Sequence, residues 1–160
     1  MRLALDLARK AEGQTNPNPV VGAVLVKSGE VVAKGYHKKA GLPHAEIIAL
    51  RKAGGKARGA DLYVNLEPCC HHGRTPPCTE AIIAAGIKRV ILGIRDPNLL
   101  VSGRGIRFLR KQGVEVVTGV LRRDCEKINE SFVKYITTGR PWVILKSAFS
   151  LDGKIATRTG

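Results

Sequence analysis

The sequence has few aromatic residues, few acidic residues and no long apolar run, and each of these shortages limits the kind of protein that it can be. Only 4% of its 160 residues are aromatic, with one Trp and one Met, so we expect a core of Val, Ile, Leu and Ala. No apolar run approaches the ~20 residues of a membrane span. The start, Met1-Arg2-Leu3-Ala4, is too short and wrongly patterned for a signal peptide. We therefore expect a cytoplasmic chain without a membrane partner.

Acidic residues are few relative to basic ones, at 13 against 27, and the net charge is +14. This charge favours an anionic partner, either a phosphorylated small molecule or a nucleic acid, but a basic, well-solvated surface explains it equally well. The basic residues are scattered and form at most pairs, such as Lys38-Lys39 and Arg122-Arg123. A nucleic-acid binder usually clusters them or interleaves stacking aromatics, so we expect no nucleic-acid partner.

Short apolar runs separated by turns predict the secondary structure. We predict helices over residues 3–12, 43–53, 76–85, 106–112 and 122–137, and strands over 20–26, 31–36, 62–66, 90–94, 114–117 and 142–147. Strands that alternate with helices after an initial hairpin indicate an α/β protein, a three-layer α/β/α domain whose mixed sheet has about five strands.

One imidazole, two thiols and an unpaired carboxylate form the pattern that carries chemistry. His44 and Glu46 lie two residues apart, about 200° around a helix, so they can share a site only at the helix's N-terminal end, where Pro43 places them. Cys78 lies at a second helix start, and Cys69 follows a strand. His44, Cys69 and Cys78 could hold Zn²⁺ with its fourth position open to water, while Glu46 moves protons. Four cysteines without a secretory signal suit reduced, metal-binding thiols.

A closed structural zinc site is the main alternative from these residues. His71 or His72 could supply a fourth ligand, and Cys70 could compete with Cys69. Adjacent residues rarely reach the same metal, and a closed site would leave Glu46 without a role. We therefore favour the open site, and we interpret Cys125 as a buried apolar position on a helix.

The motif His44-Ala45-Glu46 with Pro68-Cys69 resembles the cytidine/deoxycytidylate deaminase superfamily. Most members have two residues between the cysteines, whereas eight separate Cys69 from Cys78 here. This longer loop resembles the deaminase domain of bifunctional riboflavin-biosynthesis deaminase/reductases. The segments Asn16-Pro17-Asn18-Pro19 and Asp96-Pro97-Asn98 are similar to that family too. The resemblance implies the cytidine-deaminase-like fold.

The resemblance also implies a substrate and its contacts. The substrate would be a phosphorylated pyrimidine, 2,5-diamino-6-(ribosylamino)-4(3H)-pyrimidinone 5′-phosphate, which loses ammonia to give the 5-amino-6-(ribosylamino)uracil 5′-phosphate. Asn18, His37, His71 and Arg74 would hold its pyrimidine, ribose and phosphate. Arg74 suits the phosphate because its guanidinium can bind two oxygens at once. Cys70 departs from the family, which more often has Ser there.

Residues 141–160 resemble the opening strand and loop of the NADPH-dependent reductase domain of the same proteins. We therefore expect a deaminase domain over residues 1–140, followed by the beginning of a reductase domain. A lone strand cannot bind NADPH, so we expect no reductase activity from this chain. The predicted strand 142–147 would leave an edge unpaired, and this favours a homo-oligomer.

Two other functions stay open at this point. A nucleic-acid deaminase of the tRNA type, or a deaminase of free cytosine or adenine nucleotides, would use the same zinc chemistry, and the net charge favours a nucleic-acid substrate. A zinc-stabilised binding module without turnover would need no open metal position. Replacing Glu46 by Gln separates the module from the enzymes, because only an enzyme would lose activity.

Overall fold

The computed structural model describes residues 1–71, 76–99, 101–157 and 159. Within them the strands are β1 (Gly22–Lys27), β2 (Glu30–Tyr36), β3 (Asp61–Leu66), β4 (Arg89–Ile94) and β5 (Glu115–Val117). The helices are α1 (Arg2–Arg9), α2 (Ala45–Ala53), α3 (Cys78–Ala84), α4 (Arg104–Lys111), α5 (Arg122–Ile128) and α6 (Glu130–Thr138). A 3₁₀ turn over Gly54–Ala57 follows α2.

The five strands form one mixed sheet, which confirms the predicted sheet. Their order is β2-β1-β3-β4-β5. The β1 strand pairs antiparallel with both β2 and β3, whereas β3, β4 and β5 run parallel. Leu66 at the end of β3 pairs with Ile94 at the end of β4, so the loops that follow these two strands leave the sheet side by side.

Helices cover both faces of this sheet, which confirms the three-layer arrangement. Gly22 lets α1 approach one face, since a Cβ at Gly22 would lie 2.0 Å from the carbonyl oxygen of Ala4. Gly35 lets α2 approach in the same way, because its Cβ would lie 2.6 Å from the carbonyl oxygen of Ala45. Ala23 pairs with Gly35 and follows Gly22 in β1, so α1 and α2 lie on opposite faces. Helix α5 contacts α1, and α3 contacts both α2 and α4.

The core is aliphatic, as the scarcity of aromatic residues predicts. The largest side chains that are fully buried include Leu25, Leu62, Ile82, Leu92 and Leu109. They come from the central strands and from the helices on either side, so one continuous core holds the ends of β3 and β4 in place.

The predicted strand over residues 142–147 is wrong, because the structure has no strand there. Val143, Ile144 and Leu145 are 77%, 79% and 90% exposed. The Lys134 ammonium lies 5.4 Å from the ring centre of Trp142. A run with strand propensity forms a strand only where it finds a pairing partner and a face to bury. This segment therefore offers no strand edge that would favour self-association, and a homo-oligomer stays a prediction.

The predicted helix over residues 122–137 is two helices with Asn129 between them. Asn129 is only 1% exposed and turns inward, where its carboxamide bonds both the N–H and the C=O of Val20. The inward turn ends α5 and begins α6. No helix in the described part of the chain combines the length and apolar character that a membrane crossing needs.

Candidate metal centre and active site

The structure brings three sequence-predicted ligands together at one point. Nδ1 of His44 lies 3.2 Å from Sγ of Cys78 and 3.5 Å from Sγ of Cys69. The three ligand atoms all lie within 4.8 Å of one another. Zinc–sulfur and zinc–nitrogen bonds of ~2.3 and ~2.05 Å at a tetrahedral angle place such atoms about 3.6 Å apart. The nitrogen-to-sulfur separations therefore match three corners of a zinc tetrahedron.

Each ligand sits where its backbone element begins or ends. His44 is the N-cap of α2, and Cys78 is the first residue of α3, after Pro77. Cys69 lies three residues beyond β3, and its Sγ accepts the backbone N–H of Cys78 at 3.3 Å. Two helix N-termini thus face the group, and their partial positive charge stabilises thiolates.

The protonation of the three groups also suits a cation. The hydrogen bond from the Cys78 thiol lowers the pKa of Cys69 to about 4, with help from His44. The same bond, together with burial, raises the pKa of Cys78. Hydrogen bonding to Cys69 raises the pKa of His44. These shifts favour a thiolate at Cys69, and binding of a divalent metal would displace protons from the neighbouring ligand groups.

Glu46 stands beside this group without belonging to it. It lies in the first turn of α2 and is 3% exposed. Burial raises its pKa to about 7, and the negative charge of Cys69 acts in the same direction. A carboxyl with a pKa near neutrality can both accept and return a proton at physiological pH. The geometry therefore provides a proton-transfer group next to a three-ligand metal site.

The closed-site alternative gains no ligand from the described residues. Within them, the cluster of metal-competent side chains around His44 consists of His44, Cys69 and Cys78. Cys70 and His71 are described and lie outside it, while His72 lies outside the described residues. Two cysteine sulfurs and one imidazole are a donor set that zinc favours, so the residues present fit this ion.

A cavity of about 390 Å³ opens onto the metal group. This volume lies within the range of small-molecule sites, roughly 300–1,000 Å³. Asn18, His37 and His71, which the resemblance implies as substrate contacts, all line the cavity, together with Glu46. Arg74, the fourth implied contact, lies outside the described residues.

His37 uses both ring nitrogens inside the protein. Nδ1 lies 3.2 Å from the carbonyl oxygen of Pro43, which can only accept, so Nδ1 carries the proton. Nε2 therefore accepts from the carboxamide nitrogen of Asn18 at 3.1 Å. Burial lowers the pKa of His37, in agreement with a neutral ring. His37 therefore orients the Asn18 carboxamide, and Asn18 is one of the residues that line the cavity.

Two buried carboxamides that the sequence analysis did not single out hold the Asn18 loop. Asn65, fully buried in β3, accepts the N–H of Gly22 at 2.8 Å and donates to the carbonyl of Val20 at 2.9 Å. Asn129 bonds the N–H and C=O of Val20 from the opposite side. A polar residue inside the apolar run of β3 was the available signal for Asn65. These bonds fasten the segment before β1 to the sheet.

Glu67 and Asp96 are the other buried carboxyl groups of the site, at 3% and 8% exposed. Glu67 accepts three backbone N–H groups, from Asp96 at 3.2 Å, Gly103 at 2.9 Å and Ile106 at 3.1 Å. Asp96 lines the cavity, and burial raises its pKa to about 6. The sequence pattern predicts a role for neither residue.

Comparison with known proteins agrees with this geometry. The sequence model of the cytidine and deoxycytidylate deaminase zinc-binding region matches residues 1–94, which include the three ligands and Glu46. The riboflavin biosynthesis protein RibD of Aquifex aeolicus is 59% identical over 160 residues, covering 100% of this chain and 45% of the relative. The chain thus spans less than half the length of this relative.

Solved structures give the same result. The diaminohydroxyphosphoribosylaminopyrimidine deaminase/5-amino-6-(5-phosphoribosylamino)uracil reductase of Thermotoga maritima is 52% identical, with a TM-score of 0.94 over 100% of this chain and 46% of that chain. A tRNA:A34 deaminase is 32% identical, with a TM-score of 0.62 over 80% of this chain and 96% of that chain. The resemblance and the fold expected from the sequence are confirmed, and the chain belongs to the cytidine and deoxycytidylate deaminase family.

Proposed function

We propose that this chain is a zinc hydrolase that deaminates 2,5-diamino-6-(ribosylamino)-4(3H)-pyrimidinone 5′-phosphate to 5-amino-6-(ribosylamino)uracil 5′-phosphate in riboflavin biosynthesis. The observation that carries the proposal is the group of His44, Cys69 and Cys78 with buried Glu46 beside it. The similarity to the RibD relatives, and the longer spacing between the cysteines, support this substrate over other deaminase substrates.

The side chains divide the work. His44, Cys69 and Cys78 would hold zinc, which when bound activates water for attack on an amidine-type ring carbon. Glu46 would take one proton from the attacking water and pass it to the ring nitrogen, and it would then carry the proton of the added hydroxyl group to the departing amine. Its pKa of about 7 suits both halves of this shuttle. Ammonia leaves and a ring carbonyl remains.

The cavity walls would orient the ribotide. Asn18 presents a carboxamide oxygen held in place by His37, and this acceptor suits a ring N–H or an amino group. His71 lines the outer part of the cavity and is exposed, so we assign it with Arg74 to the ribose and phosphate. Reduced thiols at the centre suit the cytoplasm, the location that we propose.

The decisive experiment measures ammonia release from the ribotide, beside cytidine, dCMP and an RNA hairpin, with zinc quantified in the same preparation. We expect turnover of the ribotide alone, at about one zinc per chain. Turnover of the hairpin with strong salt dependence would instead establish the tRNA-type alternative, which the charge of +14 favours.

The Glu46→Gln variant tests whether the site is catalytic at all. We expect zinc to stay bound while turnover falls by at least ~10²–10⁴-fold, the usual contribution of positioned proton transfer. Glu115→Gln is the matched control, because Glu115 is an exposed carboxylate on β5 outside the cavity lining. Parent-level turnover in Glu46→Gln would refute the role of Glu46, whereas a parent chain that binds zinc but turns over none of the substrates would favour a zinc-stabilised binding module.

A further inference from the structure

We propose that Glu67 is a positioning residue that sets the place of the metal ligand Cys69. This inference rests on the proposed zinc site, because it concerns how one ligand of that site is held. Glu67 is 3% exposed. It directly follows the last residue of β3 and lies two residues before Cys69.

The Glu67 carboxylate accepts three backbone N–H groups from two stretches of chain, the loop after β4 and the start of α4. Oε2 accepts the N–H groups of Asp96 and Gly103, and Oε1 accepts the N–H of Ile106. The main chain of Glu67 is held too, because its N–H donates to the carbonyl of Ile94 at 3.0 Å. The main chain of Glu67 is therefore fixed to the end of β4, and its carboxylate is fixed to the loop after β4 and to the start of α4.

Glu67 also supplies what α4 lacks at its own N-terminus. The N-cap of α4 is Gly103, which has no side chain and a φ of +75°. The N–H groups of Gly103 and Ile106, the N-cap and third helical positions, are bonded by Glu67 instead. A carboxylate at this place is favoured by hydrogen bonding and by the helix dipole. These bonds hold Glu67 in place, and we call Glu67 together with its three backbone hydrogen bonds the anchor.

Pro68 connects Glu67 to the ligand Cys69 and restricts the chain between them. Pro68 is fully buried, and its ring restricts φ, so the chain between Glu67 and Cys69 has little freedom. A Cβ on Gly105 in α4 would lie 2.4 Å from the carbonyl oxygen of Pro68 and 3.2 Å from Oε1 of Glu67. Helix α4 thus packs directly on this segment, with no space for movement on that side.

On its other side, Cys69 meets α3, which carries the partner ligand. The carbonyl of Cys69 accepts the N–H of Thr79 at 3.2 Å, and its Sγ accepts the N–H of Cys78. The position of Cys69 is therefore set between two contacts, the Glu67 anchor on α4 and the first turn of α3. If the bonds of Glu67 are lost, the contacts with α3 alone hold Cys69, and its distance to the other two ligands is less firmly fixed.

Two variants weaken the anchor from opposite sides. Glu67→Gln keeps the shape of the side chain but replaces one accepting oxygen with a donor, so at least one backbone N–H loses its partner. Gly105→Ala leaves Glu67 intact and pushes the start of α4 away from Pro68. The matched controls are Val90→Ala, a core truncation at the opposite end of β4, and Gly55→Ala, at a glycine with nothing within 4 Å of its Cβ.

The measurements are zinc affinity, by competition with a chromophoric chelator, and the visible absorption spectrum of the Co²⁺-loaded protein, which reports ligand geometry. We expect Glu67→Gln and Gly105→Ala to weaken zinc binding at least ~10-fold and to shift the Co²⁺ spectrum, as losses of outer-shell support commonly do. The controls should retain parent affinity and spectrum, even where urea unfolding shows Val90→Ala to be as destabilised as Glu67→Gln.

Parent affinity and spectrum in both anchor variants would overturn the proposal, as would equal losses of affinity in Val90→Ala. If Glu67→Gln does not fold, Gly105→Ala against Gly55→Ala decides alone. These readouts need no substrate. A parent chain that binds zinc but releases no ammonia would refute the proposed function and leave the role of Glu67 testable.

Discussion

Replacing Asp96 by Asn should stabilise the protein, increasingly so as the pH rises. The Asp96 carboxyl is 8% exposed, and Oδ1 accepts the N–H of Asn98 at 2.8 Å. Burial is the main reason that its pKa rises from 3.8 to about 6, and the charges of Glu67 and Cys69 add to the effect. The substituted carboxamide can keep the bond from Asn98 while removing a charge that the folded state disfavours.

The sign and size follow from proton linkage. Between pH 3.8 and about 6 the folded protein holds a proton that the unfolded chain has released, so parent stability falls as the pH rises through this interval. The carboxamide of the Asp96→Asn variant has no proton to lose, so the advantage of the variant grows with pH. A difference of about 2.2 pKa units gives an advantage of about 1.6 kcal/mol at pH 5 and about 3 kcal/mol at pH 8.

Urea unfolding of parent and variant at pH 5 and pH 8 measures this advantage. Chelator and reductant in every sample keep metal binding from contributing its own pH dependence. Asp124→Asn, at an exposed carboxyl on α5, is the control, and its effect should stay within about 0.5 kcal/mol at both pH values. An advantage for Asp96→Asn that is constant or shrinks from pH 5 to pH 8 would show that the carboxyl is not held protonated by burial.

Three further perturbations probe the frame around the site. Asn65→Ala should lower the free energy of unfolding by about 2–5 kcal/mol in urea, because it leaves two buried backbone groups unbonded. Gly93→Ala should cost about 1–3 kcal/mol, since its Cβ would lie 2.2 Å from Sγ of Cys125, and adding Cys125→Ala should recover part of this in a double-mutant cycle. Free zinc at 100 times its Kd should raise the free energy of unfolding by about 2.7 kcal/mol, and Cys78→Ser should abolish most of this gain.

The ligand group was predictable because its geometry is largely local. The spacing of His44 and Glu46, and the proline before each helix start, determine where on a helix these side chains stand. Cys69 follows a strand whose apolar run is unmistakable. Once each residue is placed at the end of an element, an α/β sheet brings those ends to one edge.

The contacts of Glu67 were not predictable because they join residues that are distant in the sequence. Its three donors lie 29, 36 and 39 residues further along the chain, on a loop and a helix start. No periodicity in the sequence connects such positions. The same holds for Asn129, whose carboxamide bonds Val20 across 109 residues and divides what the sequence pattern predicts as one helix.

The strand that was wrongly predicted over residues 142–147 shows that local propensity alone does not determine secondary structure. Its Val, Ile and Leu residues favour extended backbone, but strand formation also needs a neighbour, and residues 143–145 stay more than three-quarters exposed. Propensity predicts what a segment can adopt, whereas pairing decides what it does adopt. The strands β1 to β4 were predicted correctly because each of them pairs with at least one neighbouring strand of the sheet.

The end of β3 shows how the site depends on the whole fold. Asn65, Glu67 and Cys69 alternate along one stretch of chain, and each reaches a different element: the segment before β1, the start of α4, and the start of α3. Buried polar groups of this kind contribute little net stability when bonded and cost about 1–3 kcal/mol each when a partner is missing. The stretch is therefore stable in this form only after α3, α4 and the Val20 segment have docked. The spacing of the proposed metal ligands therefore depends on contacts from several elements of the fold and not on the end of β3 alone.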